Sequence, residues 1–254
     1  MKKSSRVPAS ARRAEPKPET GSWKLEAGGR TPTGISGLDD LLEGGFPEGS
    51  FVLLSGTCGT GKSIFGMQFV CRGAERGEPG VFLSMEEEPE RIIKDMSGFD
   101  WDIRKQVDEG RLAIAKPEIY ESDAIKRMIV DSVERTGARR LVIDSFTLLS
   151  SYLENPFDIR KMIFDISREI KKLNCTTLSI SDMPEGGASY SINGFEEFVS
   201  DGVVVLSLAQ AGTTGAYTRA LLVRKMRATS HSLKMVPFKI EREGIKLYPE
   251  AELF

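Results

Sequence analysis

The chain has few of the residues that build cross-links and metal cages. Its 254 residues include three cysteines, Cys58, Cys71 and Cys175, at no paired spacing, and a single histidine, His231. A disulfide framework needs cysteines in pairs, and structural zinc needs clustered Cys and His, so neither is expected. With one imidazole in the chain, a serine–histidine triad is excluded as well. Long apolar runs are also missing. The longest, Phe51 to Leu54 and Val203 to Leu206, fall far short of the ~18–20 residues that span a bilayer. No amino-terminal stretch reads as a signal peptide. The expectation is a soluble, cytoplasmic chain with no membrane contact. Hydrophobic residues at 40% and charged residues at 28% exclude wholesale disorder and fibrous classes.

A net charge of −2 conceals an asymmetry. Residues 1–30 hold eight Lys/Arg against three Glu, a net +5, so residues 31–254 carry −7. The tail is rich in Pro, Ser and Ala, has little apolar surface to bury, and is expected to be disordered. It reads either as a solubilising linker or as an arm for an acidic partner such as nucleic acid. It lacks the interleaved aromatics of a base-stacking surface, with only Trp23, which reads as packing on the body.

From residue 31 strands and helices alternate. Short apolar runs at 51–55, 81–85, 111–115, 139–145 and 176–182 predict buried strands. Helical spacing predicts helices over 62–75, 122–136 and 157–173, and Pro89 opens another. Strands alone follow, at 202–209, 217–225, 234–240 and 244–249. This pattern predicts one α/β domain over 31–254. Its sheet is mainly parallel, has helices on both faces and ends in an antiparallel extension.

The strongest motif is Gly56-Thr57-Cys58-Gly59-Thr60-Gly61-Lys62-Ser63, which fits G-x-x-x-x-G-K-[ST]. A chance match in such a chain has a probability of about 1%, and this one follows a predicted strand and opens a predicted helix. Glycines let backbone N–H groups surround phosphate oxygens, and the helix N-terminus adds partial positive charge. Lys62 reaches the β- and γ-phosphates of a nucleoside triphosphate, and the Ser63 hydroxyl suits Mg²⁺. Cys58 reads either as one of the small residues such a loop accepts or as a thiol that the helix N-terminus and the nearby lysine make more reactive than a free one.

Acidic residues complete the candidate site. Asp144 ends an apolar strand, where a carboxylate needs a partner such as a hydrated Mg²⁺. Glu86 and Glu87 end another strand, expected beside the phosphate loop, where a carboxylate can deprotonate the attacking water. Side chains alternate along a strand, so the two are expected to point differently, with Glu86 favoured as the base. Lys225 and Arg227 alternate on a predicted strand end, two cations aimed one way; an exposed basic edge is the alternative.

Five stretches together resemble the KaiC-like branch of the RecA/RadA superfamily of ATPases. They are residues 31–50, 56–63, 82–90, 141–145, and 194–206 taken with RKMRATSH at 224–231. The resemblance implies a RecA-like P-loop core that binds ATP and Mg²⁺ and assembles as a ring, usually a hexamer, with nucleotide between subunits. It implies Lys62 and Ser63 as phosphate and magnesium contacts, Asp144 as the second metal-side acid, and Glu86 and Glu87 as the catalytic pair. Lys225, Arg227 and His231 resemble the element presented to the γ-phosphate of the adjacent subunit's ATP. The clock protein of this family has two such domains and phosphorylates a Ser–Thr pair where this chain has Glu197-Phe198. This chain is closer to the ATP-hydrolysing half, so autokinase activity is not expected. The function expected is a ring-forming ATPase that switches contacts with a partner protein as its nucleotide state changes. The alternative is a nucleic-acid-dependent ATPase or recombination accessory factor like the RadA paralogues.

Overall fold

A computed structural model describes residues 28–153, 155–186, 189–211 and 216–251. The chain opens with two short strands, β1 (Arg30–Thr31) and β2 (Phe46–Pro47), paired antiparallel across a 3-10 turn at Asp39–Leu42. The main body alternates β3 (Phe51–Gly56), α1 (Lys62–Glu75), β4 (Gly80–Ser84), α2 (Pro89–Asp95), α3 (Ile103–Asp108), β5 (Leu112–Ala115), α4 (Ser122–Thr136) and β6 (Arg140–Asp144). It continues through α5 (Phe146–Ser150), α6 (Pro156–Lys172), β7 (Thr176–Asp182), α7 (Glu196–Val199), β8 (Gly202–Ala211), β9 (Ala216–Met226), β10 (Val236–Glu241) and β11 (Gly244–Leu247).

The nine long strands form one sheet in the order β11-β10-β9-β8-β3-β7-β6-β4-β5. Strands β5, β4, β6, β7, β3 and β8 run parallel, and β9, β10 and β11 add antiparallel. Parallel strands are covered on both faces, which is why FVLLSG of β3 is buried at every position instead of alternating. One core gathers Val52, Leu54, Phe82, Val142, Leu178 and Ile180 under α1. The other gathers Phe51, Val81, Leu83, Leu141 and Ile143 under α4 and α6. Helix α6 buries Met162, Ile163, Ile166 and Ile170, one side of a 3.6-residue period. It starts where Pro156 follows Asn155, whose side chain accepts the Phe157 N–H at 2.9 Å.

Strand order decides the site. The phosphate-loop strand β3 and the Asp144 strand β6 are separated by β7, and β4 lies beyond β6. Glu86 and Glu87 therefore follow a strand three places from β3. Helix α1 spans the gap. A β-carbon on Gly66 would come within 2.9 Å of Val142, 3.1 Å of Ile180 and 3.4 Å of Phe82, so a bare backbone lies across β6, β7 and β4.

Candidate nucleotide site

Residues 57–61 turn the chain from the end of β3 into α1. Gly56 has no room for a side chain: a β-carbon there would stand 2.5 Å from the Leu206 carbonyl and 2.8 Å from Thr60 Oγ1. Gly59 and Gly61 take φ of 76° and 98°, the left-handed region open to glycine. Thr60 is buried and its hydroxyl donates to the Thr57 carbonyl at 2.8 Å, closing the loop on itself; Cys58 is exposed. Phe65 N–H donates to the Gly61 carbonyl at 2.9 Å, which leaves the first N–H groups of α1 without carbonyls of their own turn. That arrangement suits an anion.

The Lys62 ammonium donates to the carbonyls of Gly56 at 2.9 Å and Thr57 at 3.0 Å, and pairs with Asp182 Oδ1 at 3.0 Å. Asp182 ends β7, between β3 and β6. Sequence reasoning missed it, although TTLSISD carries the same signal as LVID, an acid closing an apolar strand. Arg219 of β9 was also missed; its Nε donates to the Gly59 carbonyl at 3.2 Å. Only the long-range pairing of β9 brings it there.

Ser63, Ser84, Glu86, Glu87, Asp144 and Ser145 line one cavity of about 80 Å³ beside the start of α1. Strand β4 ends at Ser84, whose hydroxyl accepts the Glu87 N–H at 2.9 Å. The two glutamates thus follow a turn, strand alternation does not apply to them, and both are exposed and line this cavity. Burial pushes the Asp144 carboxyl up to about 6, against the opposing pull of the Ser63 hydroxyl and Lys62; Glu86 and Asp182 push it further up. Among the described residues no cluster of three acidic, His or Cys side chains could cage a metal. A hydroxyl and a largely buried carboxylate, both hard oxygen donors, instead suit Mg²⁺ that keeps waters and shares its shell with phosphates. Ser63 and Asp144 fit that ion.

The remaining candidates lie elsewhere. Lys225 pairs in register with Val203 and Met226 with Gly202, while Val52 at the start of β3 also pairs with Gly202. Four residues of strand, about 13 Å, separate that level from Gly56. Lys225 and Arg227 are therefore at the end of the sheet away from this chain's own phosphate loop. Lys225 is half-buried, and its ammonium donates to the carbonyls of Glu197 at 3.1 Å and Ser200 at 2.6 Å; burial lowers its pKa. Arg227 lies one residue past β9 and donates to Asp201 at 2.8 Å. His231, in the loop to β10, approaches the Ser232 carbonyl at 3.3 Å.

The basic tail read from composition lies, through residue 27 and including Trp23, outside the described residues. Arg30, which that reading also gave to the tail, belongs to β1. Its guanidinium donates to Thr229 Oγ1 at 2.6 Å, the Ala228 carbonyl at 2.8 Å and Glu43 at 3.1 Å. No helix of the described residues is long and apolar enough to cross a membrane.

Comparison with known proteins agrees with this geometry. A solved KaiC-like protein of Pyrococcus horikoshii is 40% identical and superposes with a TM-score of 0.80, over 87% of this chain and 99% of that one. UPF0273 proteins of Methanocaldococcus jannaschii and Pyrococcus furiosus are 40% and 36% identical. Each covers 88% of this chain, over 98% and 96% of its own length respectively. The circadian clock oscillator protein KaiC of Synechococcus elongatus is 37% identical over 85% of this chain, which spans 44% of that protein. The family model described as "ATPase: KaiC" matches residues 31–252. With the phosphate loop, the acids of the cavity and the RecA-type sheet, the chain belongs to the KaiC family of ATPases.

Proposed function

We propose that this protein is a Mg²⁺-dependent ATPase whose active unit is a ring, and that its nucleotide state controls contacts with a partner protein in the cytoplasm. One observation carries the reading. The loop 56–63, Asp144, Glu86 and Glu87 gather at one end of the sheet, while the cations Lys225 and Arg227 sit at the other end, out of reach of their own loop.

In this reading the N–H groups of the loop and of early α1 hold the phosphates, and Lys62 moves from Asp182 and the loop carbonyls onto the β/γ-phosphates. Ser63 and Asp144 hold Mg²⁺, which neutralises phosphate charge when bound. Glu86 orients the attacking water and accepts its proton, with Glu87 as the second candidate in the same cavity. Lys225 and Arg227 act on the neighbouring subunit's nucleotide as arginine fingers do, with His231 close to the same γ-phosphate. A closed ring gives every nucleotide such a neighbour, and a hexamer is the size the family resemblance implies. The residues ahead of β1 form a tail, and the chain from Arg30 onward forms the catalytic domain.

Phosphate release from Mg-ATP should be measured for the full chain and Lys62→Ala, with and without single-stranded DNA. The reading expects turnover that Lys62→Ala abolishes and DNA leaves unchanged. Normal turnover by Lys62→Ala would move the active site away from the loop. Strong, salt-sensitive stimulation by DNA would favour the nucleic-acid-dependent alternative.

A further inference from the structure

The turn that carries Glu86 and Glu87 lies beyond the support of its strand. Strand β4 makes its last ladder pairs at Leu83 with Ala115 of β5 and at Ser84 with Asp144 of β6. A catalytic group displaced by about 1 Å loses much of its effect, so the turn needs other ties. On the β6 side the Met85 N–H donates to the Asp144 carbonyl at 2.6 Å, and within the turn the Glu87 N–H donates to the Ser84 hydroxyl. On the β5 side the ties are side chains of residues 116–121, the connection from β5 to α4. The Tyr120 hydroxyl donates to the Met85 carbonyl at 2.7 Å, and the Lys116 ammonium pairs with Glu88 at 2.7 Å.

These two contacts are unequal. The Glu88 side chain is 71% exposed, and an ion pair so open to water holds weakly. Met85 is fully buried, so losing the tyrosine hydroxyl would leave its carbonyl without a partner. Burial raises the Tyr120 pKa, and the charges of Glu88 and Glu86 act in the same direction against the pull of Lys116, so the phenol keeps its proton and remains a donor. The ring is fixed as well. It stacks on Tyr152 with 4.4 Å between ring centres and 12° between planes. Tyr152 comes two residues after α5, the helix that begins directly beyond Asp144 and Ser145. The stack and the hydroxyl therefore close a bracket from the segment after Asp144 to the residue before Glu86.

We propose that Tyr120 is a positioning residue for hydrolysis: its hydroxyl fixes the Met85 carbonyl and thereby aims the Glu86–Glu87 pair at the attacking water, while Tyr152 holds its ring in place. This rests on the catalytic role given to that pair above and adds the residue that sets its aim. Tyr120 touches neither the phosphate loop nor Ser63 or Asp144 through these bonds. Removing the hydroxyl therefore slows the chemical step and spares nucleotide binding.

The test measures ATP affinity and single-turnover hydrolysis by the full-length protein in Mg²⁺. The proteins are wild type, Tyr120→Phe, Tyr152→Ala, Glu86→Gln, Glu87→Gln, and Tyr120→Phe combined with each glutamine substitution. Phenylalanine keeps the ring and its stack, and Tyr152 is exposed, so both tyrosine variants should fold, which circular dichroism checks. Tyr120→Phe should lower the rate about ten-fold with ATP affinity unchanged, and Tyr152→Ala should lower it in the same way. The double variants separate positioning from a merely structural bond. Added to the glutamine substitution that disables hydrolysis, Tyr120→Phe should slow nothing further, because the carboxylate it aimed is gone. A wild-type rate in Tyr120→Phe beside a disabling glutamine variant would overturn the positioning role and leave the catalytic pair standing. An equal further loss in both glutamine backgrounds would mean that the tyrosine acts on the fold at large, which also overturns it. If neither glutamine substitution slows hydrolysis, the reading of the pair fails and the positioning role fails with it.

Discussion

Asp144→Asn should stabilise the protein while disabling it. In the folded chain, free of metal and nucleotide, the Asp144 carboxyl is raised from 3.8 to about 6, burial being the main cause. Ionising it there costs about 3 kcal/mol more than in the unfolded chain, at about 1.36 kcal/mol per pH unit. The sign follows from proton counting. Between pH 4 and 6 the unfolded state has lost this proton and the folded state still holds it, so folding stability falls as pH rises through that window. Below about pH 4 both states are neutral and the penalty vanishes; above about pH 6 it is fully present. Asparagine keeps an oxygen for the Ser63 hydroxyl and never ionises. In EDTA without nucleotide, the variant should exceed the wild type by only about 1 kcal/mol at pH 4.5. By pH 7.5 it should lie higher by up to about 3 kcal/mol, or roughly 6–12 °C for a domain of this size. Calorimetry at both pH values measures the gap, and phosphate release at pH 7.5 should fall by at least about 10²-fold. A variant no more stable than wild type at pH 7.5, or a gap of equal size at both pH values, would refute the reasoning.

Further outcomes are expected. Glu86→Gln should retain ATP binding, measured by calorimetric titration, and lose about 10²-fold or more in hydrolysis; if Glu87→Gln alone does so, the roles within the pair are reversed. Replacing Lys225 and Arg227 together with alanine should suppress hydrolysis and spare nucleotide binding. Mixing that protein with Glu86→Gln should restore part of the activity, because some interfaces then join an intact Glu86 to intact cations; no recovery from subunits shown to exchange would return Lys225 and Arg227 to a basic edge. Removing residues 1–27 should leave ATPase activity and melting temperature unchanged, whereas Arg30→Ala should cost about 1–2 kcal/mol in denaturant titration through its bonds to Glu43, Ala228 and Thr229.

Most long elements were legible because their signals are local. The apolar runs of β3 to β7 and the spacing of α1, α4 and α6 match the observed bounds to within about a residue or two. The pieces missed, β1, β2, α3, α5 and α7, have two to six residues, too few for a period to show. The phosphate loop was legible because glycine spacing and the strand and helix around it are all short-range. Strand order was not: β6 and β7 intervene between β3 and β4, and only the crossover helix returns Glu86 and Glu87 to the cavity. Lys225 and Arg227 were read as neighbours on one strand face. The strand instead ends at Met226, and Ala228 turns left-handed at φ 52° directly after Arg227. Asp182 was readable from its strand and was passed over.

The ion pair between Lys62 and Asp182 makes nucleotide uptake an exchange of anions. Asp182 is a tethered competitor, present at a fixed effective concentration, which an incoming triphosphate must displace from the lysine. Affinity for ATP can therefore be tuned at the end of β7 without altering the phosphate loop. The exchange also changes the local charge. On the reading that Lys62 turns to phosphate, Asp182 would lose its counterion while still acting, with Glu86, on the Asp144 carboxyl. In the proposed mechanism their combined field would favour a positive ion, so binding of the anion would raise the affinity for the metal proposed to accompany it.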